Sequence, residues 1–302
     1  MPLPPGVTPK HGRYYIVRRN KWHPLTRIDE GEVALLEAYY ELTHADPHNM
    51  AGVLIAFIKA GMTKLRPPTQ RDYRRIVVTR LIPFCGHMPR NALKPTHVAQ
   101  YLDQRETEGA AVAGNRERAC LSSACNYGMR KGWLEMNPCH GVRRNTERPS
   151  KVYVAHEALS AAIDRAPECL QDLLAVAYLT GIRQTDLRQM TPSAVHGDRL
   201  RFIESKTGKP ADYEITRTLR FFVDRALNRA RGFRSGALFT SPRGLPWSEW
   251  GLQSAMRRLN PGFQFRQLRP KAQTDAPDRN VIGHMGQMRV AYTRADRRRP
   301  VK

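Results

Sequence analysis

The chain is short of acidic residues. Its 302 positions carry 27 Asp and Glu against 50 Lys and Arg, a net charge of +23. An imbalance of that size disfavours basic or apolar partners and points to a polyanion, nucleic acid foremost. Cysteine is scarce as well. Cys85, Cys120, Cys125, Cys139 and Cys169 are odd in number, scattered, and form no C-x-x-C pair. This argues against a disulfide framework or a zinc site and fits a reducing cytoplasm. Cys139-His140 puts two ligand types side by side, but without a second pair it reads as structure. Long hydrophobic runs are missing too: the best, AGVLIAFIKAGM, is short and contains Lys59, and MPLPPGVTPK has no apolar stretch for a signal peptide. There is no P-loop, internal repeat or low-complexity segment. No membrane, metal or cofactor is implied.

What is present is enough apolar sequence, 41%, for two or more ordinary cores. Residues 1–45 begin with a basic stretch that has no acid through Ile28; GRYYIV and WHPLTRI around RRNK predict two short strands and a polar turn. A basic β-like arm or accessory DNA-binding element is the functional reading of this segment, and a flexible basic leader is the bland one. Residues 46–148 show apolar residues at three- and four-residue spacing in MAGVLIAFIKAG, TQRDYRRIVVTRLIPFCG, PTHVAQYLDQRE and VAGNRERACLSSACNYGMRKGW, punctuated by prolines. Arg71, Arg74, Arg75, Arg116, Arg118, Arg130 and Lys131 lie on these helices or just beyond. Each alone is an ordinary surface charge; together they suit phosphates, which fix position without reading bases. GVRRNTERPSKVYV reads as a linker, and residues 149–302 as a second domain of helices with a β-hairpin, RLRFIES and ADYEIT about a KTGKP turn. The fold class expected is mainly α with small β elements, in more than one domain.

Three clusters in the second domain carry chemistry. Attack on a phosphodiester builds negative charge on its non-bridging oxygens, and arginine, permanently charged and forked, suits that site. Arg183, in AYLTGIRQTDLRQM, and Arg269, in FRQLRPKAQTD, are the candidates. A leaving 5′ oxygen needs a proton, which Lys206 in the hairpin turn is placed to supply, with Lys209 as its competitor. Tyr292, near the C-terminus, is the candidate nucleophile; a phosphotyrosyl link stores bond energy for religation and needs neither ATP nor a metal ion.

The order of these boxes resembles the tyrosine recombinases of the phage integrase family. AYLTGIRQTDLRQM is similar to that family's first-arginine box, SKTGK to its lysine hairpin, FRQLRPKAQTD to its second-arginine box, and GHMGQMRVAYTR to its Gly-His and nucleophile box. The likeness spans roughly 155–295, and the preceding helices resemble the core-binding domain more loosely. The resemblance implies a helical core-binding domain over 46–148 and a mixed α/β catalytic domain over 149–302. It makes Arg183 and Arg269 phosphate clamps, Lys206 the general acid, His284 a phosphate ligand or helper of the nucleophile, Tyr292 the nucleophile and Asp186 a bracing acid. It implies action on double-stranded DNA, as a homotetramer on paired sites, in integrating or excising a mobile element. An accessory DNA-bending protein, and a cytoplasmic, nucleoid-associated setting of bacterial or phage origin, would go with it. Two departures stand out. The second-arginine box opens on Arg266 instead of histidine, a residue that supplies charge and hydrogen bonds but cannot act as a base. The interval from His284 to Tyr292 is one residue short. An integrase relic that binds DNA without cutting it is the alternative expectation, and a type IB topoisomerase is the enzymatic rival.

Overall fold

The computed structural model describes residues 3–44, 48–147 and 153–275. The chain divides into two compact units, Met1–Arg148 and Pro149–Lys302.

The first unit opens on an antiparallel sheet in the order β1 (Val7–Lys10), β2 (Arg13–Arg18), β3 (Lys21–Arg27). Arg18 pairs with Lys21, so Arg19-Asn20 is a two-residue turn. Both of its residues have positive φ, 50° and 58°, the twist that tight hairpins require. Helix α1 (Gly31–His44), which the strand-like reading of 1–45 does not include, packs Leu35 and Tyr39 against Val7 and Ile16 of this sheet.

The remaining helices of this unit are those the apolar spacing predicts. They are α2 (Met50–Ala56), α3 (Pro67–Ile76), α4 (Ile82–Cys85), α5 (Pro95–Thr107) and α6 (Ala111–Arg130). Between α3 and α4 the backbone widens into a π turn, Val77–Leu81. Pro83 lies just beyond. It has no N–H and would strike the carbonyl four residues back in a regular helix, and the wider turn relieves that clash. Leu54, Val77, Val78, Leu81, Leu121 and Ala124 fill the core. Four of the five cysteines are buried here as free thiols, and burial pushes Cys85 up to about 12 and Cys139 to about 11. They behave as small apolar side chains.

The second unit is built on α8 (Glu168–Thr180), whose Leu170, Leu173, Leu174 and Val176 are buried. Around it lie α7 (His156–Arg165), α9 (Gln184–Gln189), α10 (Arg217–Gly232), α11 (Glu249–Leu259) and α12 (Leu268–Asp275). A three-stranded antiparallel sheet, β4 (Val195–His196), β5 (Arg199–Ile203) and β6 (Pro210–Glu214), carries the anticipated hairpin. A buried ionic junction fastens α8 to α10: Asp172, wholly enclosed, accepts from Arg225 and from Arg229, each at 2.7 Å. Burial raises its carboxyl above the ordinary value even with two guanidinium groups on it. The architecture is helical with small antiparallel sheets, as the sequence leads one to expect.

Candidate active site

The site begins with a turn. Helix α8 ends at Gly181 in the left-handed conformation, φ 63°, ψ 15°. A side chain there is disfavoured by roughly 1 kcal/mol. The chain leaves this cap in an extended conformation at Arg183 and enters α9 at once. The Gly181 carbonyl accepts a hydrogen bond from Arg269 Nη1 at 2.7 Å, although the two are 88 residues apart. Arg269 lies at the start of α12 behind the 3-10 turn Phe265–Gln267, where buried Phe265 and Leu268 pin the segment to the core. Both arginines therefore converge on one turn. Burial holds Arg269 below its ordinary pKa, and the positive charge of Arg183 lowers it further. Two cations kept this close, one of them largely desolvated, are a standing electrostatic cost that an anion would relieve.

Carboxylates complete the inner ring. Asp186, 2% exposed at its side chain, stands 3.8 Å from Arg183 Nη1, and its Oδ1 accepts from the Ser205 amide at 2.8 Å. Glu204 Oε1 lies 2.8 Å from the same Arg183 Nη1. Burial pushes Glu204 up, but the hydrogen bonds from Thr207 and Arg183 outweigh it and leave the carboxyl below its ordinary value. Tyr213 on β6 is buried beside this group, and that burial raises its hydroxyl even though Arg269 and Arg183 pull it down. Lys206 follows Ser205 directly and is exposed in the hairpin loop, as is Lys209. Arg266 is exposed on the 3-10 turn and lines an open cleft of about 760 Å³ together with Gln184, the residue after Arg183, and Gln264.

Arg183, Asp186 and Arg269 are thus brought together, with the Lys206 loop tied to them through Ser205. His284 and Tyr292 lie outside the described residues. In the first unit, Arg71, Arg74 and Arg75 are exposed on α3, and Arg74 pairs with Glu37 at 3.1 Å. Arg116 and Arg130 are exposed on α6, and Lys131 sits over the Tyr127 ring at 5.8 Å. Arg118 is different: it is half-buried and donates to the carbonyls of Cys139 and Val142, so it braces the turn after α6.

The chain can be compared with solved structures on this basis. It matches a lambda integrase dimer bound to a COC′ core site at TM-score 0.71 and 18% identity, over 99% of this chain and 97% of that one. A lambda integrase tetramer bound to a Holliday junction matches at TM-score 0.66 and 18% identity, over 90% and 87%. The chain has the lambda integrase fold. The Tn1549 transposon integrase, in complex with circular intermediate DNA, matches at TM-score 0.63 and 14% identity, over 82% and 95%. Both relatives in fold are tyrosine recombinases. No protein-family model and no curated protein sequence matches the chain.

Within the lambda integrase fold, sequence reasoning missed two features of the site. Glu204 was hidden as one more polar residue at the end of a strand. Its neighbourhood to Arg183 is a long-range fact that no local pattern carries. The second is on α12. Lys271 is fully enclosed, and its ammonium lies 2.8 Å from Asp275 Oδ2 and 3.2 Å from the Tyr153 hydroxyl. The rings of Tyr153 and Tyr178 flank it at 4.6 and 5.3 Å. Asp275 in turn accepts from both tyrosine hydroxyls, at 2.8 and 3.2 Å. The only local signal is the i, i+4 spacing of a lysine and an acid, which usually marks an exposed pair.

Proposed function

We propose that the protein is a site-specific DNA recombinase that cuts and rejoins duplex DNA through a 3′-phosphotyrosyl intermediate, integrating or excising a mobile element. The observation that carries this reading is the convergence of Arg183 and Arg269 on the Gly181 turn, with the Lys206 loop tied alongside through Ser205. Two guanidinium groups are what a phosphodiester under attack requires, because charge grows on its non-bridging oxygens as the new bond forms.

In this scheme the Tyr292 hydroxyl oxygen attacks phosphorus and loses its proton to the neutral imidazole of His284. The bond from phosphorus to the 5′ oxygen breaks, and that oxygen takes a proton from the Lys206 ammonium. Arg183 and Arg269 hold the non-bridging oxygens, Asp186 fixes the Lys206 loop through the Ser205 amide, and Arg266 adds charge at the cleft wall. Reversal with a different 5′ hydroxyl rejoins the strand and conserves the bond energy, with no ATP or metal ion consumed. The lambda integrase of similar fold is seen as a dimer on a core site and a tetramer on a Holliday junction. The corresponding assembly here is a homotetramer on paired duplex sites, helped by a DNA-bending protein. The helices of 46–148 contact the duplex, with Arg71, Arg74, Arg75, Arg116, Arg118, Arg130 and Lys131 toward phosphates, and the basic sheet of 1–45 serves as an accessory DNA-binding element. Affinity dominated by such contacts falls steeply with salt.

Covalent trapping tests the reading. The protein and its Tyr292→Phe variant are incubated with nicked duplex fragments from the gene's own locus and separated under denaturing conditions. A protein–DNA band present for the former and absent for the latter supports it. Specific binding with no adduct for either protein assigns the chain to a non-cutting relic, in keeping with Arg266 at the histidine position.

A further inference from the structure

The proposed chemistry gives Glu204, which touches Arg183, no task. Glu204 is the first residue after β5, 13% exposed at its side chain in a loop whose other members from Ser205 to Lys209 are exposed. Every polar group it owns is engaged. Its amide donates to the Lys209 carbonyl and its carbonyl accepts from the Gly208 amide, each at 2.9 Å. One carboxylate oxygen accepts from the Thr207 hydroxyl at 2.6 Å, and the other meets Arg183 at 2.8 Å. Gly208 has φ 70°, so the loop closes back on Glu204 within five residues. Next to it, the Ser205 amide donates to Asp186. Two consecutive residues thus tie the hairpin to the Arg183 turn, and the third is Lys206.

We propose that Glu204 is a positioning residue that sets the Lys206 ammonium against the leaving oxygen by clamping its loop to Arg183. The proposal rests on the recombinase reading above and adds a part to it. A lysine on an untethered hairpin samples many loop conformations, and each reduces the time its ammonium spends within reach of the 5′ oxygen. A displacement of about 1 Å in such a group costs on the order of 100-fold in rate. Glu204 removes most of that freedom without touching DNA, because its carboxylate bonds the inner side of the loop. Arg183 has further guanidinium donors for phosphate, so the tether and the substrate use different edges of one side chain.

The test uses the full chain, as wild type, Glu204→Ala and Glu204→Gln, on two substrates. One is a normal phosphodiester; in the other, sulfur replaces the bridging 5′ oxygen. A thiolate leaves without being protonated, so the sulfur substrate does not need Lys206. The expected result is a loss of about 10- to 100-fold in cleavage for Glu204→Ala on the normal substrate, with DNA affinity within about threefold of wild type. Glu204→Gln, which still accepts hydrogen bonds, recovers part of the rate. On the sulfur substrate, both variants approach wild type. A loss that persists on the sulfur substrate overturns the proposal and assigns Glu204 to Arg183 alone. Faster cleavage and tighter binding in both variants also overturn it, since Glu204 would then be a plug that competes with phosphate. In parallel, amide exchange of Gly208 in the free protein should quicken at least tenfold in Glu204→Ala; unchanged exchange refutes the tether. If wild type forms no adduct on either substrate, the recombinase reading fails and the role assigned to Lys206 falls with it, while exchange still reports on the tether.

Discussion

Replacing Lys271 by methionine removes an ammonium from the interior and leaves its volume nearly filled. The side chain is fully enclosed, so water does not screen its pairing with Asp275. Removing one member of a buried ion pair costs about 3–5 kcal/mol, because the other charge is left uncompensated. Asp275 would keep the hydroxyl donors of Tyr153 and Tyr178, which places the cost near the lower end, at about 3 kcal/mol. For a unit of this size each kcal/mol moves the midpoint by roughly 2–4 °C, so a fall of about 6–12 °C is expected. Calorimetry of the full chain should show it in one of two transitions, since the first unit contains neither residue. The double variant Lys271→Met with Asp275→Leu should recover much of the loss, because an apolar pair of similar volume replaces the ionic one. A midpoint shift below about 2 °C for Lys271→Met would show that the pair is not buried as described.

Other perturbations follow from the same arrangement. Asp172→Ala takes the shared carboxylate from Arg225 and Arg229, which keep Gln171 and Glu168 as partners, and should cost about 3 kcal/mol in urea unfolding, the low end for a broken buried pair. Arg269→Ala removes a preorganised donor and should lower single-turnover cleavage by about 100- to 1,000-fold while the Tyr292 adduct remains detectable at long times. Because Glu204 is held below its ordinary value of 4.5, the stability it contributes is present above about pH 4.5 and disappears as the pH falls through the lower folded value. Wild type and Glu204→Gln should therefore converge in thermal midpoint on acidification, and a constant difference down to acid pH would refute this. Arg116→Ala, on the exposed face of α6, should reduce the salt slope of DNA binding by about one without altering sequence preference.

Sequence and structure agree where the controlling interactions are local. The helices of residues 50–130 were legible because three- and four-residue spacing records which face is buried, and the Lys206 hairpin was legible because KTGKP is turn chemistry between strand formers. Helix α1 was harder to see: it shares a short basic segment with three strands, and it divides its apolar residues between two partners, Leu35 and Tyr39 facing the sheet and Val33 and Leu36 the helical core. Arg183 and Arg269 were marked by their boxes, but the bond from Arg269 to the Gly181 carbonyl, which brings it to the Arg183 turn, spans 88 residues. Glu204 and Lys271 escaped for the same reason: each takes its meaning from a partner on another element, Arg183 for one and Tyr153 and Tyr178 for the other. Arg118 is the converse case, a cation on a basic helix whose bonds to the Cys139 and Val142 carbonyls no local pattern announces.

The left-handed cap at Gly181 has a bearing on how such a chain can drift over time. One backbone carbonyl, two residues before Arg183, receives Arg269, so the relation of the two arginines is written into main-chain geometry at a single residue without a side chain. Mutations elsewhere can replace surface, helix faces and even core residues in small compensated steps while the pair stays aligned. The fold is shared with solved structures at 14–18% identity, and in this chain the placement of Arg269 beside Arg183 needs only that one main-chain acceptor to be kept. The vulnerability is concentrated rather than shared: a side chain at position 181 would disturb both at once.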